Sequence, residues 1–135
     1  MQLPHGLVIA VVDGETLHLY SNAGDERHPK LIAFDLGSIE GDNKSSGSRH
    51  QSSSANPDES RQEEDSFAAA VASKLNKQVL EGHIAHLFIV ATPKTLGELR
   101  KHYHKVLEQK LLGELAKDLT GHSISDIEAA VSNAT

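Results

Sequence analysis

Nine histidines in a chain of 135 residues raise the question of a metal site, because imidazole is a common metal ligand. His83 and His86 stand three residues apart at the start of a strand-like stretch, and that spacing places them on opposite faces. His102 and His104 stand two residues apart in a predicted helix, so their side chains diverge by about 200°. The chain contains no cysteine. We therefore expect no metal site and no cofactor.

Side chains suited to hydrolysis are present without the patterns that catalysis needs. Asp13 belongs to an Asp-Gly pair, where a turn accounts for it. Asp35 and Asp118 end predicted strands, where they can face water. Serines are frequent, but the chain has no Gly-x-Ser-x-Gly elbow and no glycine-rich phosphate loop. The sequence leaves enzymatic activity open and favours a protein that is not an enzyme.

One segment concentrates positive charge in a chain whose formal net charge is −6. Residues 92–110 have a local charge of +3, from five basic and two acidic side chains. These are Lys94, Arg100, Lys101, Lys105 and Lys110 against Glu98 and Glu108. A helix with this charge can face the phosphates of a nucleic acid, through contacts that weaken as salt is added. The alternative is an ordinary solvated helix face.

Three predicted strands begin the chain. Residues 6–12 form a continuous apolar run, which is typical of a strand buried on both faces. Asp13-Gly14 then suits a two-residue hairpin in which both turn residues take positive φ. Residues 15–20 and 30–36 supply the second and third strands, which predicts an antiparallel meander.

Residues 37–56 differ from the rest of the chain, because they are rich in serine and glycine and nearly free of apolar side chains. This composition predicts a flexible loop within a single domain that spans residues 1–135. Gln51 is the only glutamine of the loop and is preceded by Arg49 and His50.

Helices and strands alternate in the remaining chain. An apolar stripe at helical spacing follows Pro57, and a Ser-x-x-Asp pattern precedes the last apolar segment. The predicted elements are a helix from Pro57 to Gly82, a strand over 84–91, a helix over 92–110, an edge strand over 111–119 and a final helix capped by Ser123. The order β-β-β-α-β-α-β-α predicts an α/β fold, with a mixed five-stranded sheet and helices on both faces.

Gly97 lies inside the predicted helix 92–110. Glycine in a helix interior costs about 1 kcal/mol relative to alanine. We therefore expect a neighbouring strand or helix to pack closely over this position, with a bound ligand as the alternative.

The longest apolar stretch near the N-terminus, residues 7–12, is too short for the core of a signal peptide. A membrane span needs about twenty apolar residues, and no such run is present. The expectation is a soluble, cytoplasmic protein.

Several motifs occur in the order in which one bacterial family carries them. They are Val11-Val12-Asp13-Gly14, His28-Pro29, Phe67-Ala68, the run ATPKTLGELR over 91–100 and Lys117-Asp118-Leu119-Thr120. With these motifs the chain resembles, over essentially its whole length, the host attachment protein family, named as required for attachment to host cells. The resemblance implies a protein-interaction role in attachment, either direct or through the expression of surface components.

That family is in turn similar to bacterial–archaeal release-factor-like proteins, which resemble the middle domain of eukaryotic class-1 release factors and of Pelota. The resemblance implies a ribonuclease H-like fold. In release factors, a loop before the first long helix carries Gly-Gly-Gln into the peptidyl-transferase centre. Loop 37–56 occupies the corresponding place and holds Gly47-Ser48-Arg49-His50-Gln51 instead. Without paired glycines the close backbone approach is hard to make, which counts against hydrolysis.

The residues and the resemblance together predict a binding module that contacts the ribosome or tRNA. Arg100, Lys101 and Lys105 would meet phosphates, while the tripeptide Arg49-His50-Gln51 would probe a site as the loop orders. One alternative is a hydrolase of an ester such as peptidyl-tRNA, in which His50 or Gln51 orients water. Another is a factor that binds a protein partner in host-cell attachment.

Overall fold

The computed structural model describes residues 2–34 and 57–134, with the backbone alone for residues 57–64. Within these ranges the strands are β1 (Val8–Val12), β2 (Leu17–Asn22), β3 (Leu31–Ala33), β4 (Leu87–Ala91) and β5 (Leu111–Ala116). The helices are α1 (Pro57–Leu80), α2 (Pro93–Arg100), α3 (Lys105–Lys110) and α4 (Ile124–Asn133).

The strands form one mixed sheet in the order β3-β2-β1-β4-β5. β2 pairs antiparallel with β1 and with β3, while β4 pairs parallel with β1 and with β5. β1 is the middle strand, and at its centre Ala10 lies between Leu19 and Ile89. The predicted five-stranded mixed sheet is therefore confirmed, and so is the edge strand within residues 111–119.

The two central strands are apolar throughout because helices cover both faces of the sheet. All five residues of β1 and all five of β4 are buried. Val8, Ala10 and Val12 belong to one core cluster, which also contains buried side chains of α1, α2 and α3. Ile9 and Val11 point to the opposite face and join a second cluster with side chains of α4. Helices on both faces, as predicted, follow from this division.

Helix α1 packs on the sheet through the predicted apolar stripe. Its buried apolar positions, among the described side chains, are Ala68, Val71, Ala72, Leu75 and Val79. The helix ends at Leu80, and Gly82 follows with a φ of +83°. The N–H of Gly82 donates to the carbonyl of Val79 (3.0 Å), and that of His83 donates to Gln78 (2.9 Å). These two bonds form a Schellman motif, which explains why glycine ends this helix.

The hairpin between β1 and β2 differs from the predicted two-residue turn. Its loop has four residues, Asp13–Thr16, and Gly14 does not take a positive φ. Oδ1 of Asp13 accepts hydrogen bonds from the N–H of Glu15 (2.7 Å), the N–H of Thr16 (2.7 Å) and the Thr16 hydroxyl (3.0 Å). The carboxylate of Asp13, rather than a left-handed glycine, therefore holds the turn.

We expect Asp13→Asn to lower the free energy of unfolding by about 1 kcal/mol at pH 7, after allowance for solvent screening. Burial raises the pKa of Asp13, but hydrogen bonds from Glu15 and Thr16 outweigh it and leave the pKa below its ordinary value. Such a group stabilises the fold above the unfolded pKa of about 3.9, and this stability is lost as pH falls through the folded pKa.

Urea unfolding of both proteins from pH 7 down to pH 3 measures this contribution. The difference between wild type and Asp13→Asn should shrink below about pH 4. A difference that stays constant down to pH 3 would show that the charge of Asp13 is not its cause.

Several predicted strands are shorter than expected, and two of the differences move named residues out of a strand. β3 covers Leu31–Ala33 of the predicted 30–36, of which residues 35 and 36 lie outside the described residues. β4 begins at Leu87, so His83 and His86 lie in the turn before it and not on a strand. The buried Ile84 belongs to the core although it precedes the strand.

Candidate functional site

The basic segment 92–110 forms two helices, whereas the sequence predicted one. α2 ends at Arg100 and α3 begins at Lys105, so His102 and His104 lie in a turn between them. Leu96 and Leu99 of α2 and Leu107 of α3 are nevertheless buried in the same core cluster. The prediction of one continuous helix over 92–110 is therefore wrong, although apolar side chains of both helices share one core.

Asn76 of α1 holds the turn between α2 and α3. Its Nδ2 donates to the carbonyl of His102 (2.8 Å), and its Oδ1 accepts from the N–H of His104 (2.9 Å). The imidazole Nδ1 of His104 in turn accepts from the N–H of Val106 (3.0 Å) and caps α3. These contacts satisfy backbone groups that would otherwise lose their partners where the helix breaks. The turn therefore has a defined conformation.

Arg100 is bound to a carboxylate of its own chain. Its Nε and Nη2 donate to Oε1 of Glu114 on β5, at 3.0 and 2.8 Å, while 57% of the Arg100 side chain stays exposed. Oε2 of Glu114 accepts from the hydroxyl of Tyr103 (2.9 Å). Burial, together with the charge of Glu114, raises the pKa of Tyr103 well above its usual range. One carboxylate thus joins the end of α2, the turn and the edge strand.

The other two predicted cations differ in their surroundings. Nζ of Lys101 lies 3.1 Å from Oε2 of Glu98, although 67% of its side chain is exposed. Lys105 is the first residue of α3 and is exposed. Arg100, Lys101 and Lys105 therefore lie on one exposed stretch of chain, and two of them are paired with acids.

Glu114 and Asn76 contribute to this site and were not among the predicted residues. Glu114 gives one sequence signal, since it is the single charged residue of the otherwise apolar strand β5. Asn76 gives none, because nothing in its neighbours along α1 indicates that it contacts residues 102 and 104.

The outward face of α2 carries the other part of the site. Thr95, Leu96 and Leu99 turn inward and are buried. The exposed residues of α2 and of the position that follows it are Pro93, Lys94, Gly97, Arg100 and Lys101. Each charged residue among them is a cation.

Gly97 stands in the open on this face. A Cβ built at Gly97 would meet no described atom within 4 Å. The prediction that a neighbouring element packs closely over Gly97 is therefore wrong for the described part of the protein.

One group of predicted site residues lies outside the part of the chain that the structure describes. The loop residues Arg49, His50 and Gln51 lie outside the described residues. Among the side chains that the structure describes, those of residues 2–34 and 65–134, no three histidine or acidic groups lie together so that they could hold a metal ion. No helix in these ranges is long and apolar enough to cross a membrane.

Comparison with known protein families gives a match over most of the chain. The model of bacterial archaeo-eukaryotic release factor family 12 matches residues 7–131, from the residue before β1 into α4. No curated protein matches the chain. The release-factor-like part of the resemblance is confirmed by this match, while the link to host attachment stays a prediction.

Proposed function

Because the chain belongs to bacterial archaeo-eukaryotic release factor family 12, we propose that it is a non-enzymatic, cytoplasmic module that binds RNA, in the ribosome or in tRNA. The RNA contacts the surface formed by α2, α3 and the turn between them, which we call the basic surface. The observation that carries this proposal is the outward face of α2, whose exposed charged residues are all cations in a chain of net charge −6.

The charge distribution determines which part of the protein surface RNA can approach. An acidic protein repels a polyanion over most of its surface, so a local group of cations is where a phosphate backbone can approach. Lys101 and Lys105 lie at the two ends of the turn, with His102 and His104 between them, and all four are exposed. The site therefore presents several donors to phosphate oxygens within one short stretch of chain.

The basic surface is also fixed in shape before anything binds. Asn76 holds the turn by two hydrogen bonds, and Glu114 holds Arg100 by two more. A site that is already ordered loses less conformational entropy on binding. The hydrogen bonds of Asn76 and Glu114 provide this order at the break between α2 and α3.

Binding to 70S ribosomes, measured by co-sedimentation across a salt series, and to labelled tRNA, measured by anisotropy, tests the proposal. We expect Lys101→Glu and Lys105→Glu each to weaken binding by about tenfold and to reduce the salt dependence by about one phosphate contact. The matched control is Lys30→Glu, the same charge change on an exposed residue beside β3, at the opposite edge of the sheet.

Three results would overturn the proposal. They are the absence of binding at low salt, binding that ignores salt, and equal weakening by Lys30→Glu. The family resemblance also implies a hydrolase, although the chain contains no Gly-Gly-Gln. If the protein releases peptide from peptidyl-tRNA and Gln51→Ala abolishes this release, the hydrolase would be favoured over the non-enzymatic binding module.

A further inference from the structure

Gly97 is an unfavourable residue for its position, and nothing in the described protein explains it. It lies in the interior of α2, between Pro93 and Arg100, where glycine has more conformational freedom to lose than any other residue. Elsewhere, a glycine is needed where a side chain would collide, as at Gly113, where a Cβ would lie 2.7 Å from the ring of Phe88. At Gly97 the corresponding space is open.

The neighbours of Gly97 on the helix surface are basic. Lys94 precedes it by three residues, and Arg100 and Lys101 follow it by three and four, so all three are its neighbours on the exposed face. The acid of this helix, Glu98, is mostly buried at 21% side-chain exposure and is paired with Lys101. The face therefore has a bare stretch of helix backbone between cations.

We propose that the RNA sugar–phosphate backbone crosses α2 directly over Gly97, between Lys94 on one side and Arg100 and Lys101 on the other. This inference rests on the proposed function and names the point of closest approach. The attraction between a phosphate and a cation grows as their separation falls, and the missing side chain lets the strand settle nearer to the helix. A glycine that is unfavourable in the free protein is then favourable in the complex.

Substitutions of Gly97 test the proposal, because they are expected to raise the stability of the protein and to weaken its binding to ribosomes. Gly97→Ala and Gly97→Gln each place a better helix former in α2, so we expect the thermal midpoint to rise by about 4 °C. We expect binding to 70S ribosomes in co-sedimentation to weaken by about threefold for alanine and about tenfold for glutamine, because the longer side chain holds the strand further away.

The matched controls are Ser73→Ala and Ser73→Gln, at an exposed position of α1. They should leave ribosome binding unchanged. Gly97 variants that bind as tightly as wild type, while Lys101→Glu binds more weakly, would overturn this inference and leave the proposed function standing. A wild type that does not bind at all would overturn both. Equal losses at positions 73 and 97, or a lower thermal midpoint for Gly97→Ala, would also overturn the inference.

Discussion

Replacing Gly113 with alanine is expected to lower the free energy of unfolding by about 2 kcal/mol. Gly113 lies on β5 opposite Phe88 of β4, in the same row of the sheet. A Cβ at Gly113 would lie 2.7 Å from Cε2 and 3.3 Å from Cδ2 of the Phe88 ring. That ring is 1% exposed and packed in the second core cluster, so moving it would disturb the side chains around it.

The expected loss of stability is opposite in sign to the usual effect of replacing glycine with alanine. In a strand interior, alanine is ordinarily more favourable than glycine by roughly 0.5–1 kcal/mol. Gly97→Ala, the same chemical change in open space, should raise the free energy of unfolding by about 1 kcal/mol. Urea unfolding of the two variants should therefore move the midpoint in opposite directions.

A double-mutant cycle identifies the contact responsible. Phe88→Leu removes ring atoms that the new methyl group would meet, so Gly113→Ala should cost less in the Phe88→Leu background than in wild type. The same cost in both backgrounds would show that Phe88 is not what requires glycine at position 113.

Replacing Glu114 with alanine is expected to lower the free energy of unfolding by about 2 kcal/mol. The loss comes from the Tyr103 hydroxyl, which donates to Oε2 of Glu114 and would keep no carboxylate partner in a largely buried position. We assign no part of this figure to Arg100, whose guanidinium is exposed to solvent. Tyr103→Phe removes the hydroxyl itself, so Glu114→Ala should cost less in that background.

Alkaline pH provides a second measurement of the same contact. Burial and the carboxylate of Glu114 raise the pKa of Tyr103 in the folded protein. A group with a raised folded pKa contributes stability that is fully present below its unfolded pKa of about 10 and is lost as pH rises further. The wild type should therefore lose stability above about pH 10, and Tyr103→Phe should lose less. Identical alkaline profiles for the two proteins would contradict this assignment.

The sheet was predictable because its signals are local. The segments Val8–Val12 and Leu87–Ala91 are apolar at every position, whereas a half-buried strand alternates apolar and polar residues. Both central strands could therefore be placed from the sequence. The Ser123 cap was equally local, since its side chain accepts from the N–H of Asp126 three residues later. The ribonuclease H-like assignment remains a prediction that this sheet is compatible with.

What the sequence did not reveal depends on contacts between distant residues. The break between α2 and α3 is held by Asn76, which is remote in sequence from the residues it bonds. Gly97 and Gly113 look alike in the sequence, yet one faces open space and the other faces a ring brought in by β4. The pairing of Arg100 with Glu114 likewise requires the register that sets Glu114 beside Ile89.

The sequence shows where the cations of the candidate site are concentrated, but not how they are paired. The concentration of cations in residues 92–110 can be read from the sequence because it does not depend on how the chain folds. Which of them are paired with acids is a property of the fold. Arg100 is bound to Glu114 and holds α2 to β5, and Lys101 is bound to Glu98, whereas Lys105 is exposed at the start of α3.

The central position of β1 has a consequence for how the protein is made on the ribosome. β1 is synthesised first, but its parallel neighbour β4 begins only at Leu87. Translation of the intervening residues 13–86 takes roughly 4 to 15 s at about 5–20 residues per second. During that time the nascent chain can pair β1 with β2 alone.

The other edge of β1 then presents unpaired N–H and C=O groups beside side chains that are all buried in the finished protein. Such an edge readily pairs with other extended chains. We expect chains arrested within α1 to aggregate or to be retained by chaperones, and full-length chains to fold. The order of the strands along the chain thus determines how long each newly made molecule can aggregate through the free edge of β1.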